Sequence, residues 1–246
     1  MNGRKCLTMD DILITLDVDW APDFIIRDVA ELLRSAGVRS TWFATHESEA
    51  IRELEKDPLF EIGIHPASYT TDGMKDSMRE MKRLFPQADS LRTHGLFHSS
   101  ILRHAETVDH GIRIDSSTYL REMPHISPFY TYYDSKPLLS VPFFWTEDGE
   151  MYAPGSSFQA ERIVEVPGLK VLDYHPVHIW LNSRTMDRYN GLKAKLGPPT
   201  KWTEKDLAGG RPEEGARGAG DHFKDMLEIC RQRGSMTLKE LAERMD

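Results

Sequence analysis

The sequence predicts an α/β protein built from parallel βα units, as either an α/β barrel or an open doubly wound sheet. Short apolar or β-branched runs alternate with longer amphipathic stretches. Turn-forming Gly and Pro and clusters of acids punctuate them. Most of the short runs also end in Asp, His or Arg, and parallel α/β architectures build their sites at the carboxyl ends of the strands. At 246 residues the chain can bury a core without disulfide staples.

The elements follow in order. Ile12 to Val18 (ILITLDV) reads as a buried strand ending in acids, and Pro22 to Ala36 as a helix. That helix has Pro in its first turn, apolar Phe24, Ile25, Val29, Leu32 and Leu33 at helical spacing, and Gly37 as its stop. Arg39 to Thr45 is a second strand, SEAIRELEKD a charged helix, and Leu59 to His65 a third strand. Met74, Met78, Met81, Leu84 and Phe85 mark a helix that Pro86 follows. SLRTH is a fourth strand, Gly111 to Ser117 a fifth, LLSVPFFW a sixth and Leu169 to His175 a late one. The weakly periodic segment Ser117 to Glu161 is expected to be an excursion that roofs the site.

This divides the chain into a barrel over 1–195, a Gly/Pro-rich loop over 196–220 and C-terminal helices over 221–246 packed on the outside of the barrel. The role of the glycine-rich part, 209–220, stays open between a lid, a partner surface and no role at all. Thr237 and Glu240 have capping-box spacing. No internal repeat or second domain is evident.

Composition narrows the function. With 31 Lys plus Arg against 39 Asp plus Glu, the net charge of −8 disfavours non-specific attraction to nucleic acid or anionic membrane. Cys6 and Cys230 cannot make a zinc cluster or a disulfide framework. The amino-terminal stretch lacks the apolar core of a signal peptide, and no run has the length and apolarity of a membrane span, so a cytoplasmic location is expected. No GxGxxG or P-loop motif follows the first strand.

Asp17 and Asp19 lie two apart on an extended segment, so both side chains can face one side, one on a metal and the other on its bound water. A solvated strand-end turn is the competing reading of that fragment alone. His65 ends a strand before Pro66, where a histidine serves either as a ligand or as a hydrogen-bonded structural residue.

The order of motifs is more specific than any one of them. TLDVDW (Thr15 to Trp20), STWFAT, FEIGIHP (Phe60 to Pro66), LRTHG (Leu91 to Gly95), GIRIDSS and LDYHP (Leu172 to Pro176) together resemble the NodB-type polysaccharide deacetylases, carbohydrate esterase family 4. THES, EIGIHP, RTHGL, VPFFWTEDGE and YHPVHIWLN are most similar to the branch associated with O-antigen and other surface-glycan biosynthesis. The resemblance implies a distorted (β/α)7 barrel and metal-dependent hydrolysis of an N-acyl group, acetyl or formyl, on a sugar, sugar nucleotide or glycan precursor. It further implies Asp17 as general base, Asp19 and His65 as metal ligands, Arg92 as the residue that orients Asp17, and His175 as the acid that protonates the departing amine.

One position departs from the family pattern. Four residues after His65, where a second histidine ligand belongs, stands Tyr69. A phenol with a reference pKa of about 10 is a poor metal ligand at neutral pH. His46 is therefore the first choice for third ligand and His94 the second. The donor set suits zinc first, with Co, Ni, Fe or Mn as alternatives. His94, Trp145, His178 and Asn182 are candidate substrate contacts, and Trp20, Trp145 and Trp180, close in sequence to these site residues, could stack on a sugar ring. Two alternatives to a sugar deacylase are an inactive glycan-binding barrel and a hydrolase of non-sugar cyclic amides.

Overall fold

The computed structural model describes residues 10–153, 157–207 and 217–245. Its strands are β1 (Ile12–Asp17), β2 (Ser40–Ala44), β3 (Phe60–Ile64), β4 (Ser90–Leu91), β5 (Ile114–Asp115), β6 (Phe129–Tyr133), β7 (Lys136–Ser140), β8 (Trp145–Thr146) and β9 (Lys170–Tyr174). The helices are α1 (Asp23–Ala36), α2 (Glu49–Leu54), α3 (Thr71–Leu84), α4 (Ser100–His104), α5 (Glu147–Met151), α6 (Ala160–Val164), α7 (Pro176–Leu181), α8 (Asp187–Leu196), α9 (Glu204–Leu207), α10 (Ala219–Arg233) and α11 (Leu238–Met245).

The sheet runs β6-β7-β5-β4-β3-β2-β1-β9-β8. Every pairing is parallel except that of β6 with β7. β7 and β8 belong to one run interrupted at Pro142. Along it the Phe143 amide donates to the Thr118 carbonyl at 2.9 Å and the Phe144 amide to the Val171 carbonyl at 2.8 Å. The run thus leaves the β5 edge and joins β9, curling the sheet into a distorted (β/α)7 barrel. The antiparallel β6 lies beside β7 at the edge.

Strand periodicity sorts the core into two layers. On β1, Ile12, Ile14 and Leu16 pack with the surrounding helices, whereas Leu13 belongs to an inner cluster with Phe43, Ile114, Leu139 and Val171. The next inward positions, Thr15 and Asp17, are polar and lie at the other end of the barrel. Gly63 makes this interior possible: a Cβ there would lie 2.5 Å from Ser90 Oγ and 2.8 Å from the Phe43 ring.

Local signals explain the helix limits. α1 starts after Pro22 and stops at Gly37, whose φ of 65° is left-handed. Ser48 and Thr70 cap α2 and α3 by accepting from the amides of Ile51 and Gly73. At α11, the Thr237 amide donates to Glu240 Oε2 and the Glu240 amide to Thr237 Oγ1, forming the capping box.

Two expectations need correction. The 196–220 stretch is not all loop: Pro199–Lys201 form a 3-10 turn, α9 follows, and α10 already begins at Ala219. Residues 208–216, most of the glycine-rich part, lie outside the described residues, as does Cys6. Nor do both C-terminal helices pack on the barrel's outside. α10 packs there with α1 and α7, but Leu238, Leu241 and Ala242 of α11 join the inner cluster of Leu13 and Val171. A ring of strands has an open apolar end, and α11 plugs it. Leu241→Ala is expected to destabilise the protein by about 2–5 kcal/mol, the usual cost of emptying a buried leucine site. Urea unfolding checks this, and a midpoint within error of the parent would refute the plug.

Candidate active site

At the opposite end, the last inward position of each central strand carries a polar side chain. Arg92 lies immediately beyond β4 and is fully buried. Its Nε donates to the Ser116 carbonyl at 2.9 Å, Nη1 to Asp17 Oδ1 at 2.9 Å and Asp173 Oδ1 at 2.5 Å, and Nη2 to Thr15 Oγ1 and Ser116 Oγ, both at 3.0 Å. All five guanidinium donors are used. The Phe43 and Phe143 rings lie against it, each centroid 4.6 Å from Cζ. Arg92 therefore ties β1, β4, β5 and β9 together and fixes one oxygen of Asp17.

Asp19 stands in the turn that closes β1. Asp19 and Trp20 both have left-handed backbones, with φ of 43° and 57°, and the Ala21 amide donates to the Val18 carbonyl at 2.9 Å. Two consecutive non-glycine residues at positive φ are strained, as is common at functional sites. The Trp20 amide donates to Thr45 Oγ1 at 3.0 Å and holds the turn.

The turn brings Asp19 Oδ1 to 3.2 Å from both His65 Nε2 and His94 Nδ1, which are themselves 3.3 Å apart. Yet Oδ1 is buried and hydrogen-bonded to neither. His65 Nδ1 lies 2.7 Å from the Arg92 carbonyl, which can only accept, so Nδ1 carries a proton and Nε2 is the ring nitrogen directed at Asp19. Burial works against an Asp19 carboxylate, but the His65 and His94 imidazoles outweigh it and hold the carboxyl well below its usual range. Three donor atoms converging without hydrogen bonds at Asp19 Oδ1 fit a divalent cation.

Of the two candidates for third ligand, the structure brings His94, and not His46, together with Asp19 and His65. Side chains alternate along β2, so Thr45 faces inward and His46 does not. His46 Nδ1 lies 3.0 Å from Thr45 Oγ1, and burial lowers its pKa, with Asp23 of α1 opposing. His94 enters instead from the 3-10 turn after β4, its amide donating to the Pro66 carbonyl at 3.0 Å. Tyr69 is 75% exposed and lines no part of the cleft.

His175 follows β9 with the parity of Asp173, so both face the site. Its Nδ1 lies 2.9 Å from Glu147 Oε1, which also accepts from the His175 amide at 2.6 Å. Burial disfavours charging this ring, but the Glu147 carboxylate outweighs it, with help from Asp19 and Asp173, and raises the His175 pKa well above the ordinary value. Nε2 is left facing Asp19 Oδ2 at 3.5 Å. On the other flank, Asp17 Oδ2 is 3.4 Å from His65 Nε2. The two carboxylate and imidazole groups suited to move protons thus bracket the candidate metal ligands.

Three candidate substrate contacts are displaced from the cleft. Trp145 is buried with the helix layer, stacked at 4.3 Å on His222, its Nε1 donating to Glu150. His178 is buried behind His175, 5.8 Å between ring centroids, with Nδ1 3.0 Å from Ser183 Oγ. Burial, and next the neighbouring His175, push its pKa down to about 3, so it is a neutral support. Asn182 clips α7 to α10, its Nδ2 donating to Asp221 Oδ2 and its Oδ1 accepting from the Asp221 amide. Trp20 packs edge-on against His94 at 5.2 Å, and Trp180 donates to Asp28.

Glu147 carried no expectation from sequence, although it lies in the VPFFWTEDGE segment and follows β8 by the same strand-end rule. Asp148 and Tyr119 were missed as well. The cleft has a volume of about 280 Å³ and is lined by these two residues together with Asp17, Asp19, His65, His94, Asp173 and His175.

A curled barrel with such a cleft at its strand ends is the architecture of the NodB-type polysaccharide deacetylases. Within that class, residues 14–193 match the model of the WbmS-like polysaccharide deacetylases, and the chain belongs to that family. A candidate polysaccharide deacetylase involved in O-antigen biosynthesis, from Bordetella bronchiseptica, shares 26% identity at a TM-score of 0.75, covering 90% of this chain and 91% of that one. Peptidoglycan deacetylase PdaC from Bacillus subtilis shares the fold at a TM-score of 0.52 and 10% identity, over 96% of this chain and 92% of that one. No curated protein sequence matches the chain.

The ligand assignment has a direct check. His94→Ala is expected to weaken zinc binding by at least about 10²-fold, and His46→Ala to leave it unchanged, in chelator-competition titrations of untagged protein. The reverse pattern would restore His46 as the ligand.

Proposed function

We propose that the protein is a metal-dependent N-deacylase that removes an acetyl or formyl group from a sugar, sugar nucleotide or glycan precursor. The convergence of Asp17, Asp19, His65, His94, Arg92 and His175 at one end of the barrel carries this reading. It is supported by membership of a polysaccharide deacetylase family. Among the described residues, no helix is long and apolar enough to cross a membrane.

Asp19, His65 and His94 would hold the cation, and their mixed carboxylate and imidazole set suits zinc. Bound there, a divalent cation would supply Lewis-acid polarisation of the amide carbonyl and would acidify water. Arg92 occupies Asp17 Oδ1 and leaves Oδ2 facing the ligand cluster. Asp17 accepts the proton of the attacking water as its oxygen bonds to the acyl carbon. The C–N bond then breaks, and His175 Nε2 gives its proton to the departing amine, so a carboxylic acid and an amino sugar leave. Glu147 keeps the donor oriented and charged. His94 supplies the ligand that Tyr69 cannot, so the tyrosine at that position does not favour an inactive barrel.

Metal-reconstituted protein incubated with N-acylated sugars, nucleotide sugars and lipid-linked precursors is expected to release acetate or formate. Asp17→Asn should lower the rate by about 10²–10⁴-fold with zinc still bound. Retention of full activity in that variant would remove Asp17 from the reaction.

Glu147→Gln tests the acid. A raised pKa keeps His175 protonated to higher pH, so loss of the Glu147 charge should move the alkaline limb of the kcat/KM profile to lower pH. An unmoved limb would separate His175 from the proton transfer.

A further inference from the structure

Tyr119, which lines the cleft, carries a polar atom that no described residue satisfies. Tyr119 Oη is buried and has no hydrogen-bond partner among the described residues. A buried phenol normally finds one. The ring itself is fixed, stacked on Phe143 at 4.7 Å with 6° between planes, and Phe143 in turn lies on Arg92. Gly149 leaves the space the hydroxyl occupies: a Cβ there would be 2.7 Å from Tyr119 Oη.

Asp148 lines the same cleft. Its Oδ1 accepts from Thr146 Oγ1 at 2.7 Å and from the Gly149 amide at 2.6 Å. These two bonds fix the carboxylate. Tyr152 also lines the cleft and is 72% exposed, which places an open aromatic face at the rim.

We propose that Tyr119 and Asp148 form a substrate subsite that recognises a hydroxyl of an uncharged sugar ring and so selects which hexosamine the cleft accepts. The inference rests on the functional reading above and names the substrate class. A sugar hydroxyl both accepts and donates, so it can accept from the phenol while donating to the carboxylate. A substrate carboxylate or phosphate could accept from Tyr119 but would meet like charge at Asp148. Burial pushes the Tyr119 phenol up to about 12, so it remains a donor throughout the working range. The aspartates lining the cleft are joined by no Lys or Arg among its described lining residues, which favours a neutral ligand.

Kinetics on the zinc-loaded protein, with neutral N-acetylhexosamines and their oligomers set against N-acetylhexosaminuronic acids, test the subsite. Neutral substrates should be preferred. Tyr119→Phe should lower their kcat/KM by about 10-fold, the scale of one hydrogen bond to substrate, with zinc affinity and unfolding midpoint unchanged. Gly149→Ala should lower it similarly, and the double variant should be no worse than the more impaired single one, because both remove the same contact. An active parent whose Tyr119→Phe variant is equally active, or which prefers uronic acids, overturns this inference alone. A metal-loaded parent that deacylates no sugar in the panel overturns the functional reading and this inference with it.

Discussion

The Arg92 guanidinium lies inside the barrel with every N–H donating, to two carboxylates, two hydroxyls and a backbone carbonyl. Burying such a charge costs several kcal/mol, and only full pairing in good geometry offsets it. The accepting hydroxyls are themselves oriented: Thr15 Oγ1 donates to the Leu172 carbonyl and Ser116 Oγ to the Val141 carbonyl. The placement of Asp17, Asp173 and the carbonyl that selects the His65 tautomer all follow from this residue. A lysine, with three donors on one point, could not span the same partners.

Around Arg92 the carboxylates outnumber the guanidinium. Asp17 and Asp173 share Nη1, Asp19 faces two imidazoles, and Glu147 is buried against His175. Burial, and next the competing Arg92 and Asp17 charges, leave the Asp173 carboxyl well above its ordinary value. A site with this surplus of negative charge is stabilised by a cation and by a protonated imidazole, which are the two components the proposed hydrolysis needs. The same surplus weighs against an anionic group on the sugar next to Asp148.

Much of this was legible in the sequence because strand periodicity is rigid. Once Ile12 to Asp17 is a strand, Leu13, Thr15 and Asp17 must share a face, and the polar ends of β1, β3 and β9 must converge. The six ordered motifs contain Asp17, Asp19, His65, Arg92 and His175, whose side chains lie together at one end of the barrel. That His94 rather than His46 joins the cluster was not legible, for a geometric reason. His46 follows an inward Thr45 and takes the other face, whereas His94 lies on a 3-10 turn whose direction no periodicity encodes. Glu147, Asp148 and Tyr119 sit on the irregular run that closes the barrel, where Pro142 interrupts the strand. Trp145 is close in sequence to the site residues, but its parity on β8 turns it to the helix layer.

In the proposed hydrolase, strand ends anchored on Arg92 assemble a metal site from Asp19, His65 and His94. Anomalous diffraction at the zinc edge from metal-loaded crystals tests it most directly. One strong peak is expected at about 2.0–2.2 Å from an Asp19 oxygen, His65 Nε2 and His94 Nδ1, with a coordination position open to the cleft. A peak coordinated by His46, or none at Asp19 in protein that binds zinc stoichiometrically, would contradict it.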